Sequence, residues 1–151
     1  MTATLEREAI FPRIDGMRKN LKKLGELAQL SIEDFRADDP YALAQHHLRL
    51  ALEGVFHIGS HILSRLPGGR AVEYKEIAKK LGELGVVPRA FADRALIPMA
   101  GMRNILVHQY SDIDPGRLLT TIREHRTDIE EFLRYVKALM EHPERLGLSV
   151  E

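Results

Sequence analysis

The chain has 151 residues, no cysteine, and 22 Lys plus Arg balanced by 22 Asp plus Glu, a formal net charge of zero. This length predicts one domain over residues 1–151, able to bury a core without disulfides or thiolate-held metal, and a reducing cytoplasm is its natural setting. Zero net charge excludes a chain that holds nucleic acid by overall electrostatics, no apolar run approaches a membrane span, and "MTATLEREAI" has acids where a signal peptide needs an apolar stretch.

The periodicity is helical throughout. Ile14, Met17, Leu21, Leu24 and Ala28 recur at steps of three and four, which predicts an amphipathic first helix with a narrow seam. Ser31 and Asp34 stand in capping spacing for a short helical turn. Asp39 as cap and Pro40 at the first helical position predict a long second helix that "LPGGR" must end. A further helix spans roughly residues 73–84 and stops at Gly85, and Pro88 opens another that must bend or restart near Pro98. Asp114 and Pro115 repeat the cap signal before a final helix carrying Leu118, Ile122, Ile129, Leu133, Val136 and Met140. No useful period-two alternation is present. The expectation is an all-α, up-and-down bundle of about five helices.

"RNILVHQY", residues 103–110, is the unusual stretch, because it places an arginine among Met102, Ile105, Leu106 and Val107. At about 100° per residue, Arg103 and Tyr110 share a helix face inside the apolar arc, whereas His108 falls roughly 140° from Arg103. An unpaired guanidinium on such a face costs several kcal/mol, so Arg103 must find a buried acid, solvent or a second subunit. Bringing Arg and His together requires a distortion near the helix end or a two-fold copy of the motif. A cleft built from two such copies suits RNA. There His can move the proton of a ribose 2′-hydroxyl or protonate the leaving 5′-oxygen, and Arg offers a donor fork to the developing pentavalent phosphate, with no metal required. The bland alternative is a core helix whose Arg pairs with an acid and whose His is structural.

The second helix carries His46, His47, His57 and His61. His57 and His61 have the spacing of two metal ligands, but no H-E-x-x-H pattern or third ligand accompanies them, so no metal site is expected. His47, Leu50, Gly54, His57 and His61 form a second stripe, which fits either a close approach at a dimer interface or plain exposure. Should that face line the cleft, Glu53 and His57 are the supporting groups. Arg18, Lys19, Lys22 and Lys23 form a basic run on the first helix that reads as a solvated face or as a phosphate contact. Arg65, Arg70 and Lys75 flank the Gly68–Gly69 break, which lacks the remainder of a phosphate-binding loop.

The octapeptide resembles the R-x-x-x-x-H-x-Y signature of the HepT toxins, a branch of the HEPN superfamily of helical ribonucleases. "ALAQHHLRLALEGVFHIGSHIL", "YKEIAKKLGELGVVP" and "MAGMRNILVHQYSDID" resemble successive segments of that family, and the likeness runs from about residue 10 to residue 140. It implies a symmetric homodimer with the motif at its interface, and metal-independent RNA cleavage, of tRNA or mRNA, by Arg103 and His108. Asn104 fills a position that is usually polar in the superfamily. The resemblance further implies a nucleotidyltransferase antitoxin of the MntA kind, which moves AMP from ATP onto Tyr110. An adenylyl group there places bulk and negative charge beside Arg103. The alternative function is a non-enzymatic nucleotide-binding or substrate-docking subunit of a nucleotidyltransferase.

Overall fold

The structure, a computed structural model, describes residues 2–108 and 113–151. Strand β1 (Ala3–Leu5) leads into α1 (Arg7–Leu27), the single turn α2 (Ile32–Phe35) and α3 (Asp38–Leu63). Then come α4 (Tyr74–Glu83), α5 (Arg89–Phe91), a π turn (Ala92–Leu96), α6 (Ile97–His108), α7 (Pro115–Glu141), a 3₁₀ turn (Pro143–Leu146) and β2 (Leu148–Val150). The architecture is all-α, with five helices of ten residues or more among the described residues.

Helix α3 is the axle of the bundle and packs against α1, α4, α6 and α7. Its buried face carries Leu48, Leu52, Val55 and Ile62, opposed by Ile10, Met17 and Leu24 of α1 and by Ile122, Phe132 and Val136 of α7 within one hydrophobic cluster. Each such side chain contributes roughly 1.5–3 kcal/mol through burial. Glycine permits the closest approaches. A Cβ on Gly54 would lie 2.6 Å from Met17 Cγ on α1, and one on Gly59 would lie 2.8 Å from Leu81 Cδ1 on α4.

Several local expectations hold. Ser31 accepts from the Asp34 amide at 3.2 Å and Asp114 from the Arg117 amide at 2.9 Å, each meeting an orphan donor at a helix start. Gly85 ends the α4 segment with φ +76°, a conformation open to glycine at no steric cost.

Others are corrected. Asp39 is not a cap: α3 begins at Asp38 after an extended Ala37 that makes no side-chain cap bond. Asp38 and Asp39 sit instead in the first turn, where negative charge complements the positive end of the helix dipole. Helix α1 starts at Arg7 and runs through Pro12, earlier than its apolar seam announces. The chain does not restart at Pro98. It stays helical through the π turn just ahead of that proline, which lacks an amide for the usual i−4 bond. The two three-residue strands, unforeseen from the sequence, pair in parallel with Thr4 opposite Ser149.

Candidate active site around Arg103

Helix α6 is amphipathic with Met99, Met102 and Leu106 buried, which fixes its rotation against α3 and α4. Arg103, one residue on from Met102, is therefore held half-buried at the helix margin. No buried acid meets it: among the described residues Arg103 makes no ion pair, and its Nε is buried without a hydrogen-bond partner. The guanidinium carbon lies 4.2 Å from the centre of the Tyr74 ring, at the start of α4, and Nη1 reaches Asn104 Oδ1 at a long 3.5 Å. A cation over a ring face is stabilised by about 0.5–2 kcal/mol, which partly offsets the missing acid and leaves the donor edge free for an anion.

Arg103 separates two clefts. One, of about 450 Å³, lies between α3 and α6 and is lined by His46, Arg49, Glu53, Leu106 and Val107. The other, of about 390 Å³, lies toward α4 and is lined by Val72, Glu73, Tyr74, Lys75 and Asn104. In the first, Arg49 Nη1 donates to Glu53 Oε1 at 3.1 Å, an i,i+4 pair that turns the arginine along its own helix.

The residues singled out from sequence divide as follows. Arg103 and Asn104 share the α4-side cleft, and Arg103 and Glu53 share the α3-side cleft. His57 lines a neighbouring groove with Glu53 and Arg13 instead. There Arg13 Nη1 donates to His57 Nδ1 at 2.6 Å, and desolvation, followed by the charge of Arg13, holds the imidazole below its ordinary pKa. His108 is exposed on α6, which is α-helical from Arg103 to that residue, so its side chain remains about 140° around the axis from Arg103. Tyr110 lies outside the described residues. Where the described chain resumes, the Tyr41 hydroxyl donates to the Ile113 carbonyl and ties the approach to α7 onto the start of α3.

The histidine stripe of α3 faces α1 and its entry. His47 pairs with Asn20 at 3.0 Å, His57 with Arg13, and His61 Nε2 accepts from the Glu6 amide at 3.2 Å. Gly54 in the same stripe makes room for Met17. All four serve the seam with α1 and its entry. Among the described residues no three His, Asp or Glu side chains gather as a metal-ligating set. Sequence reasoning missed Tyr74 and Arg49. The Arg49–Glu53 spacing is legible, but nothing local to Tyr74 points to a partner on α6.

The family model described as Ribonuclease HepT-like matches residues 17–136, and the chain belongs to that family. It is 28% identical over 119 residues to the tRNA nuclease HepT of Aphanizomenon flos-aquae, covering 78% of this chain and 80% of that protein. To the mRNA nuclease HepT of Shewanella oneidensis it is 24% identical over 135 residues, covering 87% and 98%. The crystal structure of a toxin–antitoxin with AMP-PNP contains a chain of the same fold, with TM-score 0.76 at 18% identity over 87% of this chain and 99% of that one. The cytosolic protein YutE of Bacillus subtilis also shares the fold, with TM-score 0.71 at 20% identity, covering 86% and 89%. No helix among the described residues is long and apolar enough to cross a membrane.

Proposed function

We propose that this chain is the toxin of a toxin–antitoxin pair, a cytoplasmic, single-domain endoribonuclease. In this reading it cuts RNA without a metal ion, at a site that two copies of the chain complete together. The observation that carries the reading is the state of Arg103: half-buried, without an acid among the described residues, stacked on Tyr74 and facing two open clefts. A cation left unpaired at the mouth of a cleft is arranged for an anion that arrives from outside. The names of the HepT relatives, one a tRNA nuclease and one an mRNA nuclease, support RNA as that anion.

His108 removes the proton from a ribose 2′-hydroxyl. The 2′-oxygen attacks the adjacent phosphorus, the bond to the 5′-oxygen breaks, and a protonated imidazole returns a proton to the leaving oxygen. The ends left are a 2′,3′-cyclic phosphate and a 5′-hydroxyl. The Arg103 fork neutralises the pentavalent intermediate, Asn104 orients it through the helix flank, and Glu53 fixes Arg49 beside it. His57 supports from the adjoining groove.

Two features favour a symmetric homodimer. Arg103 and His108 diverge on a regular helix, so one chain does not converge them on one phosphate. An exposed apolar side chain also flanks the α4-side cleft: Val72, 81% exposed. In the same reading an MntA-like nucleotidyltransferase antitoxin uses ATP to place AMP on Tyr110 and close the site.

The test is cleavage of RNA by the purified, unmodified protein in the presence of a chelator. Cyclic-phosphate ends are expected, with losses on the order of a hundredfold or more in Arg103→Ala and His108→Ala. A protein that cuts no RNA, or variants that cut as the parent does, would refute the assignment.

A further inference from the structure

A further groove lies away from the motif helix. It runs between α1 and α7, has a volume of about 770 Å³, and contains no residue of α6. Arg18 and Lys22 stand on its α1 wall, and Arg126, Arg134 and Lys137 on its α7 wall, against Glu26 and Glu130. Glu26 is already engaged by Lys23 at 3.7 Å. None of the five groove cations makes an ion pair or hydrogen bond among the described residues. Some surface cations elsewhere do so: Arg94 meets Asp128 at 3.0 Å and Glu131 at 3.3 Å, and Lys80 meets Glu76 at 3.7 Å. In a chain of zero net charge, this groove concentrates uncompensated positive charge.

Two details mark the groove as built. Leu21 and Leu133 form a buried apolar floor. Arg126 lies across α1 at Gly25, where an added Cβ would come within 3.5 Å of its Nη1, and its Nε is buried without an acceptor. Its Nη groups make no hydrogen bond among the described residues and remain as donors, for which a phosphate oxygen is a suitable acceptor. The stretch from Arg126 to Lys137 extends about 16 Å along α7, enough for successive phosphates. No aromatic side chain lines the groove, so it offers charge and no stacking platform for bases.

We propose that the α1–α7 groove is a second RNA-binding surface, which holds the phosphodiester backbone of the substrate away from the cut, independent of sequence. It rests on the ribonuclease reading for the identity of the polyanion, and on the groove's own charge for its existence.

The test uses full-length protein carrying His108→Ala, so that binding is read without cleavage, and a fluorescein-labelled single-stranded oligoribonucleotide of mixed sequence. Affinity is measured by anisotropy across a salt series. Arg134→Glu/Lys137→Glu and Arg18→Glu/Lys22→Glu are each expected to weaken binding on the order of tenfold. They should also flatten the salt dependence by roughly 0.7 in log–log slope for each phosphate that is no longer neutralised. Arg134→Gln/Lys137→Gln should fall between parent and reversal, which separates a charge effect from damage to the fold. Lys79→Glu, an exposed lysine of α4 outside the groove, should change affinity far less. Parent-like affinity and slope in both reversal pairs would overturn the proposal. So would intact RNA binding with loss of an acidic protein partner, which would assign the groove to that protein. RNA cleavage by the wild-type chain with groove-independent binding removes this surface and leaves the ribonuclease reading. Groove-dependent binding by a wild-type chain that cuts nothing does the reverse.

Discussion

Arg103 and Tyr74 face each other across the gap between α6 and α4, with the guanidinium carbon 4.2 Å from the ring centre. The stack replaces the carboxylate that a half-buried arginine would ordinarily recruit, and it orients the donor fork without neutralising it. Tyr74 is thus a positioning residue in the proposed site. Tyr74→Phe keeps the ring and should cleave RNA as the parent does. Tyr74→Leu should lower kcat on the order of tenfold, the kinetic equivalent of about 1.4 kcal/mol, with little change in KM. Steady-state kinetics on the two variants decide it. Equal activity in both would show that the ring face does not matter.

In the proposed reading, modification is expected at Tyr110. Incubation with the cognate nucleotidyltransferase and ATP should add AMP-sized mass to the peptide bearing Tyr110, with parallel loss of cleavage. Peptide mass spectrometry reads the site. Addition elsewhere, or an unmodified Tyr110 in inactivated protein, would contradict the assignment.

His125 on α7 predicts a pH dependence. It is 8% exposed, its Nδ1 has no hydrogen-bond partner, and burial holds its pKa below the ordinary value, opposed by Asp128 and Glu124. The unfolded chain therefore takes up a proton at about pH 6.5 while the folded chain still resists it. Stability should fall as pH drops below about 6.5, until the folded-state value is reached. His47, His57 and His61 are shifted the same way, burial being the largest cause in each, and add to the slope. Denaturant midpoints from neutral to mildly acidic pH should show this decline, and His125→Leu should make it shallower. An unchanged slope in the variant would exclude His125 as a contributor.

Gly54 supplies a packing prediction. An alanine there drives its Cβ into Met17 at 2.6 Å, and a flexible thioether can yield only part of that distance. Gly54→Ala should cost about 1–3 kcal/mol by chemical denaturation. Gly101→Ala, where nothing lies within 4 Å of the added carbon, should cost little and serves as control. Equal stability of the two variants would refute close packing of α1 on α3.

Much of the fold is written locally. The seam Ile14, Met17, Leu21, Leu24 and Ala28 is buried as its spacing implies, and Ser31, Gly85 and Asp114 punctuate the chain where they stand. Local pattern fails where partners are distant. Thr4 and Ser149 pair across nearly the whole chain, through strands too short to show alternation. The stripe of His47, Gly54, His57 and His61 resembles a free second face because sequence spacing gives an angle and not a neighbour. The neighbour is α1. The same limit hides Tyr74. Helical angles pose the right question about Arg103, whether an acid or another surface meets it, and the answer is an aromatic face.

The proposed site takes its arginine from one copy of the chain and its histidine from the other, and mixed dimers test that directly. Arg103→Ala and His108→Ala, each inactive alone, are co-expressed with different tags, and the doubly tagged dimer is isolated and given RNA. It retains one Arg103 and one His108, on opposite chains. Recovery of a substantial fraction of wild-type cleavage, with cyclic-phosphate ends and in the presence of chelator, is the expected result. A verified mixed dimer that remains as inactive as either parent variant would contradict the shared site.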